Sequence, residues 1–163
     1  MEQALAEQSV PHSIIRGAYY MSNWDGYLDA VRQSGELATF YPVDFRLPMV
    51  APQDIGQLAA RLLTAPTVER GPHFAEGPAR YCPADVAAAF SAALDQPVRA
   101  VQLPRAQWPA TLRGMGFSEA ATESFVAMTD LTLQGDFPRP EATERGHTTL
   151  QAYVQALVQR AAR

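Results

Sequence analysis

The sequence predicts an α/β fold with parallel strand pairing and a helix-rich C-terminal lobe, and three observations carry that expectation. Short β-branched runs, Ser13-Ile14-Ile15-Arg16-Gly17-Ala18 and Val98 to Leu103, alternate with helical segments. The stretch after Pro52 places Ile55, Leu58, Ala59, Leu62 and Leu63 at helical spacing. Beyond Leu103 the chain reads as helices alone, at roughly 105–113, 118–134 and 148–161.

Taken in order, residues 1–9 suit a short helix that Val10-Pro11 ends. The strand at Ser13 to Ala18 has two adjacent isoleucines, so both its faces should meet apolar neighbours, as in a covered parallel sheet. A helix should follow Trp24 and run to about Gln33, where Ser34-Gly35 stops it. Leu37 to Pro42 and Arg46 to Val50 read as short extended pieces. Asp54 stands near the start of the next helix, where a carboxylate accepts from free backbone N–H groups, and Thr64-Ala65-Pro66 closes it. A strand spans Gly71 to Pro78. Pro83 opens a helix with Val86, Phe90 and Leu94 as its apolar stripe, because a proline at the first helical position loses no bond. Phe137-Pro138-Arg139-Pro140 reads as a rigid loop between the last two helices.

With 163 residues, the chain has the length of one domain, 1–163. Hydrophobic residues at 47% and charged residues at 18% are globular rather than disordered composition. A formal net charge of −4 and scattered basic residues give no surface for tracking phosphates, so no nucleic-acid partner is expected. No apolar run reaches membrane-spanning length, and Met1-Glu2-Gln3 does not open a signal peptide, so a cytoplasmic location without membrane contact is the expectation.

The chemistry-bearing residues are sparse. Cys82 is the single cysteine and, lying before a helix entry with no nearby His or acid, reads as a buried structural thiol. His12, His73 and His147 show no helical pairing, so no metal site is expected. Asp25 and Asp29 are four apart and read as a solvated face rather than an acid–base pair. Ser22, Ser118 and Ser124 lack a nucleophile-elbow context.

Four segments, in order, resemble the NmrA-like branch of the short-chain dehydrogenase/reductase superfamily. They are Ile14-Ile15-Arg16-Gly17-Ala18-Tyr19-Tyr20-Met21-Ser22-Asn23-Trp24; Leu47-Pro48-Met49-Val50-Ala51-Pro52-Gln53-Asp54-Ile55-Gly56; Phe74-Ala75-Glu76-Gly77-Pro78 followed by Pro83-Ala84-Asp85-Val86-Ala87; and Gly146-His147-Thr148-Thr149-Leu150. The resemblance covers roughly the C-terminal half of a family member. It implies a truncated Rossmann-type sheet of few strands, with residues 1–97 a remnant of the Rossmann-type half and 98–163 a mostly helical substrate-side lobe.

The departures are as informative. No Gly-rich strand-to-helix loop is present; Gly114-Met115-Gly116 follows a helix and reads as its cap. The superfamily's Tyr-x-x-x-Lys pair is missing, since the sequence has no lysine. Full-length relatives would hold NAD(P), but no cofactor is expected on the isolated chain, and no catalytic residue is assigned. The resemblance places Arg16, Tyr19, Tyr20, Asn23, Trp24 and Met49 where a strand end meets the substrate, and these are the ligand-pocket candidates.

Two functions follow. One is a non-enzymatic binding or interaction protein derived from the substrate-side half. The other is a piece of an NAD(P)-dependent reductase or redox sensor that needs a separate nucleotide-binding chain or segment. The strand at Ser13 to Ala18 would be interior in a full family member; left open here, it is expected to support a homodimer.

Overall fold

A computed structural model describes residues 2–135, 140 and 142–162. Apart from Pro140, the expected loop at Phe137 to Pro140 lies outside the described residues. The chain is α/β, with small and mostly parallel sheets. It divides into two compact units: Met1–Gly26, Leu47–Tyr81 and Pro140–Arg163 form one, and Tyr27–Arg46 and Cys82–Arg139 form the other.

The first unit begins with a short helix, α1 (Glu2–Ala6), none of whose residues is buried. Strand β1 (Ser13–Gly17) follows, then a two-residue strand β2 (Tyr19–Tyr20) and a 3₁₀ turn at Met21–Tyr27, where a regular helix was expected only after Trp24. The helix after it, α2 (Leu28–Ser34), belongs to the second unit and stops at Gly35 in the left-handed conformation, φ 67°. Returning to the first unit, β4 (Leu47–Val50) leads into α3 (Pro52–Thr64). Next come β5 (Gly71–Glu76) and β6 (Arg80–Tyr81), and later β8 (Glu144–Arg145) and α7 (Leu150–Arg160). β1, β5 and β8 form one parallel sheet with β5 in the middle, in the register Arg16 to Phe74 and Ala75 to Glu144. β2 and β6 flank β4, the first parallel and the second antiparallel. Ile14 and Ile15 are both half-buried, so each face of β1 is partly covered.

Two expectations about α3 need correction. Leu63 does not join the apolar stripe; it is 86% exposed, and Leu58 is the buried anchor. Asp54 does not cap its own helix. Ala51 occupies the cap position without a side-chain bond, and the Asp54 carboxylate is turned inward to another segment, where it accepts from Thr148.

In the second unit, β3 (Glu36–Thr39) pairs in parallel with β7 (Arg99–Gln102). Helix α4 (Pro83–Leu94) buries Val86 and Phe90 as its spacing predicts. Cys82 caps it, and against expectation an acid does lie beside it: its amide and thiol both donate to the carboxylate of Asp85, three residues on, at 2.9 and 3.3 Å, and the thiol is buried as expected. The expected helix at 105–113 opens as a 3₁₀ turn (Arg105–Gln107) before α5 (Trp108–Gly114), because proline at position 109 suits only a first helical turn. α6 (Glu119–Gln134) starts on Ser118, whose hydroxyl accepts from the Ala121 amide. Phe40, Trp108 and Leu112 form the core here, with Leu103, Phe125, Val126 and Leu133 packed around them. The Phe40 ring meets Trp108 edge-on at 5.7 Å and Phe125 at 5.1 Å. The Trp108 indole donates to the Leu103 carbonyl at 3.0 Å, so its one polar atom is satisfied.

Candidate functional site

In open α/β sheets, ligands collect at the carboxyl ends of parallel strands. In the first unit those ends are Gly17 of β1, Glu76 of β5 and Arg145 of β8. After Gly17 the chain changes partner. The Ala18 amide still donates to Ala75 at 2.9 Å, but Tyr19 and Tyr20 pair with Met49 and Val50 of β4. This shift sets Tyr19 beside Met49. The turn that follows brings Trp24 to the Tyr19 ring, centroid to centroid 5.7 Å.

The six pocket candidates therefore divide. Trp24 and Met49 are buried core, and Tyr19 is half-buried against Trp24. Tyr20 is 39% exposed and lies over Gly17, where an added Cβ would strike its ring; Asn23 is exposed. Arg16 is engaged elsewhere. Its guanidinium lies 5.2 Å from the Phe74 ring, and its Nε donates to Glu2 at 3.0 Å. The arginine beside the Glu2 carboxyl holds that group below its ordinary range and raises the arginine in return.

Around this cluster the singled-out segments lock to one another through polar contacts that spacing alone did not reveal. The Gly77 amide donates to the Met49 carbonyl at 2.8 Å, and an added Cβ would fall on that same oxygen. Asp54, buried, accepts from the Thr148 amide at 3.1 Å and the Thr148 hydroxyl at 2.9 Å, while Gly146 passes so close that a Cβ would collide with the carboxylate. The Gly146 amide donates to Glu76, and Arg145 pairs with the Glu76 carboxylate at 3.1 Å. Arg61 bridges Glu69 at 3.1 Å and Glu144 at 2.6 Å. Asp54, Arg61, Glu76, Glu144, Arg145 and Gly146 line a cavity of about 230 Å³ together with Val50 and His147. Among the described residues, no group of His, Cys, Asp and Glu is arranged to hold a metal.

A further polar contact fixes the turn that carries Asn23 and Trp24. The Tyr153 hydroxyl of α7 donates to both oxygens of Asp25, at 2.9 and 3.0 Å. Burial, reinforced by that carboxylate, pushes the Tyr153 phenol up to about 12. Asp25 and Asp29 thus do not act as a pair: Asp29 is exposed and sits 3.8 Å from Arg32. The residue 128 positions away that holds Asp25 has no local sequence signal.

A dinucleotide needs free helix-start N–H groups to cradle its pyrophosphate. The starts of α3 and α4 do not provide them. Each has proline at its first position and a carboxylate in its first turn, Asp54 or Asp85, which repels a phosphate. Neither of these two helix starts therefore fits the pyrophosphate of a nicotinamide nucleotide.

No family model matches the chain. Over 124 residues it is 29% identical to an NAD(P)H azoreductase of Xenophilus azovorans, a match covering 76% of this chain and 43% of that protein. Its α/β fold is consistent with a truncated Rossmann-like fold. It superposes on the NADPH-dependent quinone oxidoreductase of Escherichia coli with TM-score 0.75 and 20% identity, over 96% of this chain and 56% of the other. With the triphenylmethane reductase of Citrobacter sp. the TM-score is 0.76 at 19% identity, over 97% of this chain and 56% of the other. The chain thus spans about half the length of the proteins it matches. No helix among the described residues is long and apolar enough to cross a membrane.

Proposed function

We propose that this chain is the substrate-side part, corresponding to the C-terminal half, of an NAD(P)H-dependent reductase that acts on a flat, conjugated electron acceptor. The observation that carries the reading is the half-buried Tyr19 beside the exposed Tyr20 and Asn23 at the carboxyl end of β1, backed by the buried Trp24 and Met49, in a fold shared with such reductases. The similar proteins are named for an azo compound, a quinone and a triphenylmethane dye. What those acceptors share is an extended planar π system, and the accessible parts of the Tyr19 and Tyr20 rings recognise such a surface by stacking, while the buried Trp24 and Met49 support Tyr19 from behind. Tyr20 and Asn23, more exposed, form the rim on this reading. The nicotinamide nucleotide supplies reducing equivalents when bound, and a segment beyond these 163 residues would hold it. A second reading, a binding protein without catalysis, is favoured by the proline-and-carboxylate helix starts.

A titration of the purified chain with a triphenylmethane dye and, separately, with NADPH tests the proposal. Saturable dye binding with no measurable NADPH binding is expected, and Tyr19→Ala should weaken the dye by about 2- to 10-fold, the equivalent of one aromatic contact. Failure of the dye to bind would overturn it. Micromolar NADPH binding by the chain alone would overturn the assignment of the nucleotide to another segment.

A further inference from the structure

We infer that Gly17 is a positioning residue of the acceptor site: its bare α-carbon seats the Tyr20 ring across the end of β1, where a planar acceptor can stack on it. This rests on the reductase reading and deepens it by naming what orients one of the two accessible rings. The backbone does not call for glycine at this position. The φ of Gly17 lies outside the left-handed region that Gly35, Gly71, Gly116 and Gly135 occupy, so an alanine could adopt the same main-chain conformation. What the glycine supplies is space. A Cβ at Gly17 would stand 2.5 Å from Cε1 of Tyr20, 3.2 Å from its Cζ and 3.1 Å from its hydroxyl oxygen. The edge of the ring therefore occupies the volume in which any other side chain would begin.

That contact is a product of the strand shift. In an unbroken strand, residues three apart stand about 10 Å from each other and point to opposite faces. Here the chain changes partner between them: Gly17 pairs with Ala75 of β5, and Tyr20 pairs with Val50 of β4. The bend this requires returns the Tyr20 side chain over the residue that closes β1. With the Tyr20 main chain held on β4, its side-chain torsions are the freedom that remains, and the empty side of Gly17 is where they settle. One edge of the ring is seated while the residue stays 39% exposed, which leaves aromatic surface for a flat ligand. Trp24 and Met49 are buried and cannot offer such a surface, and Tyr19 lies half-buried against Trp24. A ring already held in place also loses less rotamer freedom on binding than one the ligand must immobilise, so the seat strengthens the contact.

Titration of the whole chain with a triphenylmethane dye tests this through a double-mutant cycle. Gly17→Ala pushes the Tyr20 ring off its seat and should weaken the dye by about 2- to 10-fold, with an unchanged circular dichroism spectrum. Tyr20→Phe keeps the ring and should bind within about 2-fold of the wild type. In a Tyr20→Ala background, Gly17→Ala should have no further effect, because it acts through the ring; a merely structural role of Gly17 would show in both backgrounds. If Gly17→Ala does not fold, the nuclear magnetic resonance signals of the Gly17 α-protons decide. The ring above them should shift them, so they should move in Tyr20→Ala and stay in place in Tyr20→Phe. Unmoved signals in Tyr20→Ala overturn the inference. So does a folded Gly17→Ala that binds the dye as the wild type does, or that loses equally in the Tyr20→Ala background, and in these cases the reductase reading stands. A wild type that binds no dye overturns that reading and the inference with it.

Discussion

In the first unit, distant segments are held by polar pairs with at least one buried partner: Asp54 on Thr148, Arg145 on Glu76, Tyr153 on Asp25. In the second, the same task falls to rings, with Phe40, Trp108 and Phe125 edge to face and the ion pairs, such as Arg105 with Asp130 and Arg113 with Glu119, left at the surface. The two solutions have different consequences. Ring packing is less directional than a hydrogen bond and admits a wider range of centroid distances and tilts. A carboxylate that accepts from a specific amide fixes backbone position, which suits a strand-end region where a ligand must find aromatic and polar groups in register.

The largest effect should come from the ring-packed unit. Trp108→Ala leaves a cavity between Phe40 and Leu112 and should cost about 3–5 kcal/mol, read as a lower urea midpoint. A loss under about 1 kcal/mol would mean that the aromatic cluster is not the anchor of that unit. Asp54→Ala comes next. It strands the Thr148 amide and should cost about 1–3 kcal/mol, and the amide protection of Gly146 to Leu150 should fall with it. Unchanged protection there would remove the carboxylate from its latching role.

Tyr153 gives a smaller, pH-dependent effect. Its folded phenol is raised from 10.0 to about 12, so the protonated form is favoured in the native state. The stability it contributes is fully present below pH 10 and is lost as pH rises through about 12. Burial raises Tyr27 and Tyr41 in the same direction. Ultraviolet titration of tyrosinate should thus show late-ionising groups, and Tyr153→Phe should remove the one coupled to Asp25 at a cost of about 1 kcal/mol. A titration curve identical to that of the wild type would contradict the assignment.

The same contrast explains how much was legible in the sequence. Local patterns sufficed for α4, where Pro83, Val86 and Phe90 mark start and stripe, and for the cores of β1 and β5. Strands β2, β6 and β8, with two residues each, carry no period to read, and they exist because Met49, Leu47 and Ala75 offer them backbone partners. Asp54 looked like a helix-start acid because position favours that role. Its actual partner is Thr148, 94 residues on, and spacing rules cannot reach that far. Of the pocket candidates, Tyr19, Trp24 and Met49 sit together because one strand shift sets them so. Arg16 was drawn away by Glu2 and Phe74, an exposed pairing that no motif encodes.

The central claim, that a planar acceptor is bound at Tyr19 and Tyr20 in front of the buried Trp24 and Met49, is tested most directly by fluorescence. Trp24 and Trp108 are the chain's two tryptophans. In a Trp108→Phe variant, a naphthoquinone titrated into the protein should quench the remaining Trp24 emission saturably, and Tyr19→Ala in that background should shift the curve to higher quinone concentration. Quenching that rises linearly without saturation, or a saturating curve indifferent to Tyr19, would place the acceptor elsewhere and contradict the account.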